Sequence, residues 1–232
     1  VPYNSYGETY GAHREFLEFS QAEHKELMAY CTELGIGYST SVWDPTSARE
    51  MAELQPSFLK IPSACNLNFP LLRELFERFN GEIHLSTGMT TKDEIEKIVK
   101  FFEENKASDR LVIYNCVSGY PVPFEDICLL DILYLKEKYA ERVKAIGFSG
   151  HHLGIAPDIA AFVLGAEWIE RHYTLDRTWK GTDHAASLEP GGLRKLVRDL
   201  KNTSMSLQFK KSDILKIEQE QRDKLKSNSI KD

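Results

Sequence analysis

The sequence lacks several features that would place it in a specialised class of protein. It contains no run of about 18 apolar residues, so we expect no membrane span, and no signal peptide is visible in it. Basic residues are outnumbered, and the net charge of −6 leaves no basic footprint for nucleic acid. The cysteines are few and show no CxxC spacing, which is typical of reduced thiols in the cytoplasm rather than of a disulfide framework: Cys31, Cys65, Cys116 and Cys128.

What is present is a repeated alternation of strand and helix patterns. At 232 residues and 42% hydrophobic, the chain is long enough for one sizeable core. A helix at 21–34 is predicted by Ser20 with Glu23 three residues later. Strands are predicted at 36–42, 58–61, 82–86, 110–117, 143–148 and 166–169, and helices at 45–54, 69–79, 92–105, 124–139, 155–164 and 190–200.

Six strand–helix repeats predict an α/β fold of the (β/α)8 TIM-barrel type. A closed barrel has eight strands, so the predicted barrel is incomplete, with about six units in the chain. We assign residues 1–207 to this partial barrel and residues 208–232 to a polar tail with the character of a solvated or frayed helix. An open sheet of this kind leaves exposed edges and apolar surface, which favours self-association.

Two histidines end consecutive predicted strands. His151 follows the apolar run at 143–148, and His172 follows the run at 166–169. Because the carboxyl ends of barrel strands converge, we expect both imidazoles to face one cavity. Such a pair suits a divalent ion such as Mn, Co or Zn, with positions left open for substrate oxygens. A strand-end histidine is also commonly a hydrogen-bonded structural group, and the pattern alone leaves both alternatives open.

Other strand ends carry groups suited to an anion. Lys60 and Ser63 can offer a phosphate one charged donor and one hydroxyl, although a surface lysine before a turn fits the same pattern. The segment 86–89, Ser-Thr-Gly-Met, precedes a helix, where a glycine permits close approach and the helix N-terminus attracts negative charge. The alternative is an ordinary turn in which Thr90 or Thr91 caps the helix.

A family resemblance adds to this interpretation. The segments STGM, SGHH, ERHYTLD and WKGTDHAASLEP resemble the barrel signature of the sialic acid synthase family, and the likeness extends from YGETYGAHREFLEFS to LEPGGLRKLVRDL. Members of this family condense phosphoenolpyruvate with an N-acylated hexosamine to make a nine-carbon 2-keto sugar acid. The resemblance implies a TIM barrel in which the first two βα units and the family's C-terminal antifreeze-like domain are absent from this chain.

The resemblance also implies roles for individual residues. It implies that Tyr120 and Asp183 are catalytic and position the sugar, and that His151 and His172 bind the metal, Mn²⁺ first and Mg²⁺ or Co²⁺ as alternatives. The implied substrate-binding residues are Lys60, Ser63, Thr87, Ser118 and Ser149. Ser118 replaces the family's usual asparagine, and Cys65 stands where many members carry an acidic residue that assists the attacking water or the developing cation.

The function implied is metal-assisted condensation of phosphoenolpyruvate with N-acetylmannosamine or its 6-phosphate. The product is N-acetylneuraminate or its 9-phosphate, made in the cytoplasm without nucleic-acid or membrane partners. The animal-like WKGTDHAASLEP segment favours this acceptor over those that yield legionaminic or pseudaminic acid. A third alternative follows from Cys65 and the absent units: a catalytically inactive barrel fragment that serves for binding or oligomerisation, as a homo-oligomer or with a complementing chain.

Overall fold

A single parallel sheet organises the protein, whose computed structural model describes residues 5–226. Its strands are β1 Phe58–Ile61, β2 Glu82–Ser86, β3 Leu111–Cys116, β4 Ala145–Gly150 and β5 Trp168–Arg171. The spatial order is β1-β2-β3-β4-β5, and each neighbouring pair is parallel. The sheet curls into part of a barrel, which confirms the predicted α/β barrel-type fold.

Helices connect each strand to the next and supply the outer layer. In chain order they are α1 Tyr10–Leu17, α2 Gln21–Glu33, α3 Pro45–Leu54, α4 Phe69–Arg78, α5 Lys92–Glu104, α6 Asp131–Tyr139, α7 Ala156–Val163, α8 Pro190–Ser206 and α9 Lys216–Leu225. The Ser20–Glu23 capping box predicted for α2 is confirmed, and Thr91 with Glu94 forms another at α5. Within residues 5–226, none of the helices combines the length and apolar character needed to cross a membrane.

One predicted strand is almost absent. The segment 36–42 pairs with β1 only through a bridge between Ser41 and Lys60. The Val42 N–H donates to the Lys60 carbonyl at 2.9 Å, and the Lys60 N–H donates to the Thr40 carbonyl at 3.0 Å. Because β1 has only four residues, it offers this segment few partners, and the sheet has five strands rather than the predicted six.

Other differences concern where elements begin. The helix predicted over 124–139 is a short 3₁₀ turn followed by α6 from Asp131, because Cys128 adopts a positive φ of 52° that a continuous helix excludes. Strands β4 and β5 begin two residues later than predicted. The apolar residues Val143 and Ala166, which the sequence pattern assigned to the strands, are instead buried in the turns that precede them. The tail forms α9, and its last six residues, 227–232, lie outside the described residues.

Alternation along the strands separates two faces of the sheet. One face packs against the helices and forms the main core, which includes Leu59, Ile61, Ile83, Leu85, Ile113, Ile146 and Phe148. The other face, which lines the inside of the curl, carries polar groups between small apolar ones: Lys60, His84, Ser86, Tyr114, Ser149 and Glu170. The sheet therefore directs the Lys60 and Glu170 side chains to the interior of the curl at its carboxyl edge.

Candidate active site

A cavity of about 960 Å³ opens at the carboxyl ends of the strands, within the size range of small-molecule sites. It brings together eight of the nine residues predicted for the site: Lys60, Ser63, Ser118, Tyr120, Ser149, His151, His172 and Asp183. Residues of α1 and Trp43 line its outer part. The convergence follows from parallel strands, whose carboxyl ends meet at one edge.

Lys60 and Glu170 form an ion pair in this cavity. The Lys60 Nζ lies 3.2 Å from Glu170 Oε1 and donates to Ser86 Oγ at 2.6 Å. The Ser149 hydroxyl donates to the same Glu170 oxygen at 2.7 Å, and these two residues are register partners on β4 and β5. Burial alone would raise the pKa of Glu170, but the Lys60 charge and the two donors outweigh it and lower that pKa. The carboxylate is therefore ionised at neutral pH.

Glu170 was missed by reasoning from the sequence. The available signal was its spacing from His172, because residues two apart on a strand point to the same face. A histidine assigned to the cavity thus placed Glu170 on the cavity side as well. Its value to the site is a fixed negative charge beside the one lysine predicted to meet a phosphate.

The two histidines predicted as metal ligands lie side by side. Their ring centroids are 5.1 Å apart, and the His151 Nδ1 donates to the Val117 carbonyl at 3.0 Å, which leaves its Nε2 lone pair free. The His172 Nδ1 lies 3.7 Å from Asp183 Oδ2. Burial lowers the pKa of both imidazoles, so both are neutral near pH 7. Neutral imidazoles are the form that binds metal.

The donor set fits a divalent ion only in part. Across residues 5–226 there is no group of three or more His, Cys, Asp or Glu side chains arranged to hold a metal. The fit rests on two neutral imidazoles and on the carbonyl that orients one of them, an arrangement common among metal-binding histidines. Such a pair leaves most coordination positions to ligand oxygens or water.

Tyr120 packs edge-on against both imidazoles. Its ring centroid lies 4.5 Å from that of His151 and 5.7 Å from that of His172. Burial raises the pKa of the phenol to about 12, with smaller contributions from Cys116 and Asp183. The hydroxyl therefore remains protonated and can act as a donor to a ligand in the cavity.

Two serines and a glycine shape the cavity floor. The Gly88 N–H donates to Ser63 Oγ at 3.0 Å, and a Cβ at Gly88 would lie 2.7 Å from that oxygen and also overlap the Ser118 hydroxyl. Glycine is therefore required for both serines to approach this turn. Thr87, in contrast, donates its hydroxyl to the Tyr114 carbonyl at 2.8 Å and lines a neighbouring cavity of about 510 Å³. The structure does not bring its side chain into the main cavity.

Cys65 lies apart from these groups. Its thiol donates to the Trp43 carbonyl at 3.2 Å, and it is not among the residues that line the cavity. Burial raises the pKa of the thiol, so it stays neutral. Among the described residues, the carboxylates of the cavity are those of Glu8, Glu170 and Asp183.

The N-terminal segment covers the cavity, which its sequence did not indicate. The Tyr6 hydroxyl donates to the Lys180 carbonyl at 2.6 Å, and the His13 Nδ1 accepts from the Tyr6 N–H at 3.1 Å. Arg14 stacks 4.6 Å above the Trp43 ring. These contacts connect α1 to the loop that carries Asp183. The Tyr- and Gly-rich sequence has no clean period, so only long-range contacts determine this placement.

A curled parallel sheet with charged, hydroxyl and imidazole groups at its carboxyl edge defines a (β/α)-barrel protein with a polar small-molecule site. Within that class, the chain belongs to the NeuB family, whose sequence profile matches residues 2–212. This confirms the family to which the sequence motifs pointed.

Individual relatives agree with that assignment. The chain is 39% identical over 203 residues to the N-acetylneuraminate-9-phosphate synthase of Drosophila melanogaster, covering 88% of this chain and 54% of that protein. It is 37% identical over 204 residues to the synthase of the same name from Mus musculus, covering 88% and 55%. The chain thus spans about half the length of the curated relatives it matches.

A solved structure is similar over nearly the whole chain. It is the N-acetylneuraminic acid synthetase of Leptospira borgpetersenii serovar Hardjo-bovis in complex with citrate. The TM-score is 0.81 at 32% identity, and the match covers 95% of this chain and 77% of that one. The fold described above is therefore similar to that of this synthetase.

Proposed function

We propose that this cavity condenses phosphoenolpyruvate with N-acetylmannosamine or its 6-phosphate, releasing phosphate and forming N-acetylneuraminate or its 9-phosphate. The observation that carries the proposal is the convergence of the Lys60–Glu170 pair with the two imidazoles of His151 and His172 in one cavity. The names of the related synthases from fly and mouse support the same reaction, and favour the phosphorylated acceptor.

The phosphoenolpyruvate end is assigned to Lys60 and the neighbouring hydroxyls. The ammonium uses one contact for Ser86 and one for Glu170, so its remaining donor is available to an anionic oxygen. Ser63 and Ser118 supply hydroxyls from the floor of the same cavity. Charge-assisted bonds of this kind fix a phosphate or carboxylate in place.

The sugar end is assigned to the imidazole pair and its neighbours. A divalent ion held by His151 and His172, Mn²⁺ first among the candidates, would supply Lewis-acid polarisation of the open-chain aldehyde. Asp183, 3.7 Å from His172, can accept hydrogen bonds from sugar hydroxyls. The protonated Tyr120 phenol can donate to the oxygen that gains charge at the aldehyde.

In the proposed reaction, C3 of phosphoenolpyruvate attacks the aldehyde carbon and water adds at C2. The tetrahedral intermediate then loses phosphate by C–O cleavage. Because Cys65 provides a neutral thiol outside the cavity, we assign acceptance of the water proton to an ionised carboxylate that lies within it, Glu170. Holding two substrates in register supplies about 7–11 kcal/mol in well-oriented reactions.

The experiment is mass spectrometry of the products formed by the purified, demonstrably folded chain. It is incubated with phosphoenolpyruvate, Mn²⁺ and either N-acetylmannosamine or its 6-phosphate, beside a His172→Ala control. We expect a new nine-carbon acid that disappears in the control. Preference for a bacillosamine-derived acceptor in competition would change the assigned product. A folded chain that forms no product with any acceptor would contradict the proposal and favour a binding role.

A further inference from the structure

A second polar group lies on the inner face of the sheet, one layer below the cavity. The Tyr114 hydroxyl and the His84 Nδ1 are 2.6 Å apart, on neighbouring strands β3 and β2. The His84 side chain is fully buried, and only 3% of Tyr114 is exposed. Neither residue lines the cavity, and the proposed reaction uses neither of them.

The direction of this hydrogen bond follows from Glu82. Its Oε2 lies 3.3 Å from the His84 Nε2, and its Oε1 lies 3.1 Å from the Lys144 ammonium. Burial lowers the pKa of His84, so the ring is neutral and carries one N–H. A carboxylate only accepts, so that N–H is at Nε2 and the Nδ1 lone pair accepts from the Tyr114 hydroxyl. Glu82, His84 and Tyr114 thus form a relay with one fixed hydrogen-bond direction.

Packing holds the relay on several sides. Phe58 stacks on the His84 ring at 4.2 Å between centroids, and Trp168 meets it edge-on at 4.6 Å. A Cβ at Gly147 would come within 2.6 Å of two Tyr114 ring carbons, so this position on β4 requires glycine to admit the ring. The phenol ring is therefore closely packed against β4.

That ring faces Lys60. The Lys60 Nζ lies 5.4 Å from the Tyr114 ring centroid, within the range of a cation–π contact. The ammonium is thus held by Ser86, by Glu170 and, from below, by the ring. A phenol whose hydroxyl donates a hydrogen bond to a neutral imidazole has a more electron-rich ring, which strengthens the attraction for a cation.

We propose that Glu82, His84 and Tyr114 form a positioning relay that holds the Lys60 ammonium towards the cavity and thereby sets the affinity for an anionic substrate group. Tyr114 acts on Lys60 through its ring face, and His84 acts through Tyr114. The relay touches no substrate atom. Its substrate assignment rests on the proposed function, whereas its effect on Lys60 does not.

The first test reads Lys60 directly, without catalysis. In protein labelled with ¹³C-lysine, the Lys60 Hε–Cε signal is identified by its loss in Lys60→Arg. We expect an upfield ring-current shift of this signal that is reduced to a similar extent in Tyr114→Phe and His84→Leu and lost in Tyr114→Leu. Tyr139→Phe, which alters a buried tyrosine of α6, should leave the shift unchanged. An unshifted Lys60 signal in the unmodified protein overturns the proposal.

The second test measures the Kd for phosphoenolpyruvate by titration calorimetry. A cation–π contact of this kind corresponds to a loss of about 2-fold to 30-fold in affinity for Tyr114→Leu. Tyr114→Phe, which keeps the ring, should lose less, and Tyr139→Phe should lose nothing. Equal Kd values for Tyr114→Leu and the unmodified protein overturn the proposal.

The two tests separate the two claims. If the unmodified protein does not bind phosphoenolpyruvate, the proposed function fails, and the spectrum still decides whether the ring holds Lys60. If Tyr114→Leu does not fold, Tyr114→Phe and His84→Leu decide, since each removes the hydrogen bond between the two side chains while leaving an aromatic ring at position 114. A Lys60 shift that is the same in both variants as in the unmodified protein overturns the action of His84 through Tyr114.

Discussion

Adjacent residues in this chain enter two polar clusters with opposite characters. His151 and Glu170 belong to the cavity cluster, which also contains Lys60, Ser149 and His172. Their immediate neighbours His152 and Arg171 join Asp158 in what we call the buried cluster. The His151 and Glu170 side chains point into the cavity, whereas those of His152 and Arg171 point to Asp158 of α7.

The buried cluster is closed to solvent. The Arg171 Nη1 lies 2.5 Å from Asp158 Oδ2, and the Arg171 Nη2 donates to the His152 carbonyl at 2.6 Å. The three side chains are at most 3% exposed. Arginine suits this place because its planar fork reaches a carboxylate and backbone carbonyls together, here including that of Gly154 at 2.8 Å.

The difference between the clusters indicates their roles. The cavity cluster leaves donors and lone pairs directed at open space, where a ligand can meet them. The charged groups of the buried cluster contact one another and not a ligand. Within the described residues, three buried atoms of the cluster have no hydrogen-bond partner: His152 Nδ1, Asp158 Oδ1 and Arg171 Nε. Buried charges are costly unless paired, so the second cluster is expected to support the fold and the first to support binding.

The largest expected effect comes from breaking the buried cluster. Arg171→Met leaves the Asp158 carboxylate buried without its partner, which costs about 3–5 kcal/mol in the free energy of unfolding. Chemical denaturation measures it. Arg198→Met, which removes an exposed arginine from its pair with Asp199, is the control and should change little. Equal losses in the two variants would contradict the structural role of the buried cluster.

The cavity cluster should show the reverse behaviour. His172→Ala removes an imidazole that makes no close hydrogen bond to the described residues. The free energy of unfolding of this variant should therefore differ from that of the unmodified protein by less than about 1 kcal/mol. Product formation should fall by a factor on the order of a thousand, as expected for loss of a group that stabilises developing charge. Parallel rate and denaturation measurements check this. A loss of unfolding free energy as large as that of Arg171→Met would contradict the claim that the cavity cluster contributes little to stability.

A third network of charges lies on the surface, and we expect it to contribute less to the free energy of unfolding than the buried cluster does. The Arg142 guanidinium donates to both oxygens of Glu96, at 3.0 and 3.1 Å, and with Lys138 it lowers the pKa of Glu96 from 4.5 to about 2. A carboxyl group whose pKa is lower in the folded state stabilises that state at pH values above its unfolded-state pKa. This contribution is lost as the pH falls through the folded-state pKa. Solvent screening reduces the contribution to about 1 kcal/mol.

The measurement is the difference in unfolding free energy between the unmodified protein and Glu96→Gln as a function of pH. We expect it to be constant above pH 4.5 and to vanish as pH falls towards 2. A difference that persists undiminished at pH 2 would show that the glutamine acts through packing and not through charge.

The smallest effect concerns a helix cap near neither cluster. Thr91→Ala removes the capping box of α5, in which Thr91 accepts from the Glu94 N–H, and should cost about 1 kcal/mol. Thr91→Ser keeps the hydroxyl and serves as the matched variant. Thermal unfolding of the two distinguishes them, and product formation should be unaffected in both. Equal thermal unfolding midpoints for Thr91→Ala and Thr91→Ser would show that the Thr91 hydroxyl does not stabilise α5.

Local patterns in the sequence were sufficient for most elements. Strands β1 and β2 have the predicted bounds, and α2 and α5 begin after residues whose side chains cap them, because these features depend on neighbours within a few residues. The pairing of His151 with His172 also followed from local information, since both end consecutive parallel strands.

Contacts between distant residues decided the rest. The Lys60–Glu170 pair joins the two opposite edges of the five-stranded sheet, β1 and β5, and only the curl of the sheet brings them to 3.2 Å. The cover formed by α1 depends on Tyr6 reaching the Lys180 carbonyl, a contact across 174 positions. Thr87 has the spacing of a site residue, but its hydroxyl is taken by the Tyr114 carbonyl.

The sequence by itself thus determined the strand–helix alternation, the caps and the family, because periodicity and short motifs are properties of neighbouring residues. The tertiary structure decided which of His151 and His152, and which of Glu170 and Arg171, faces a ligand. Two adjacent residues of similar chemistry are separated only by the direction in which the folded sheet points each side chain, and that direction depends on where each strand begins and on the packing of α7.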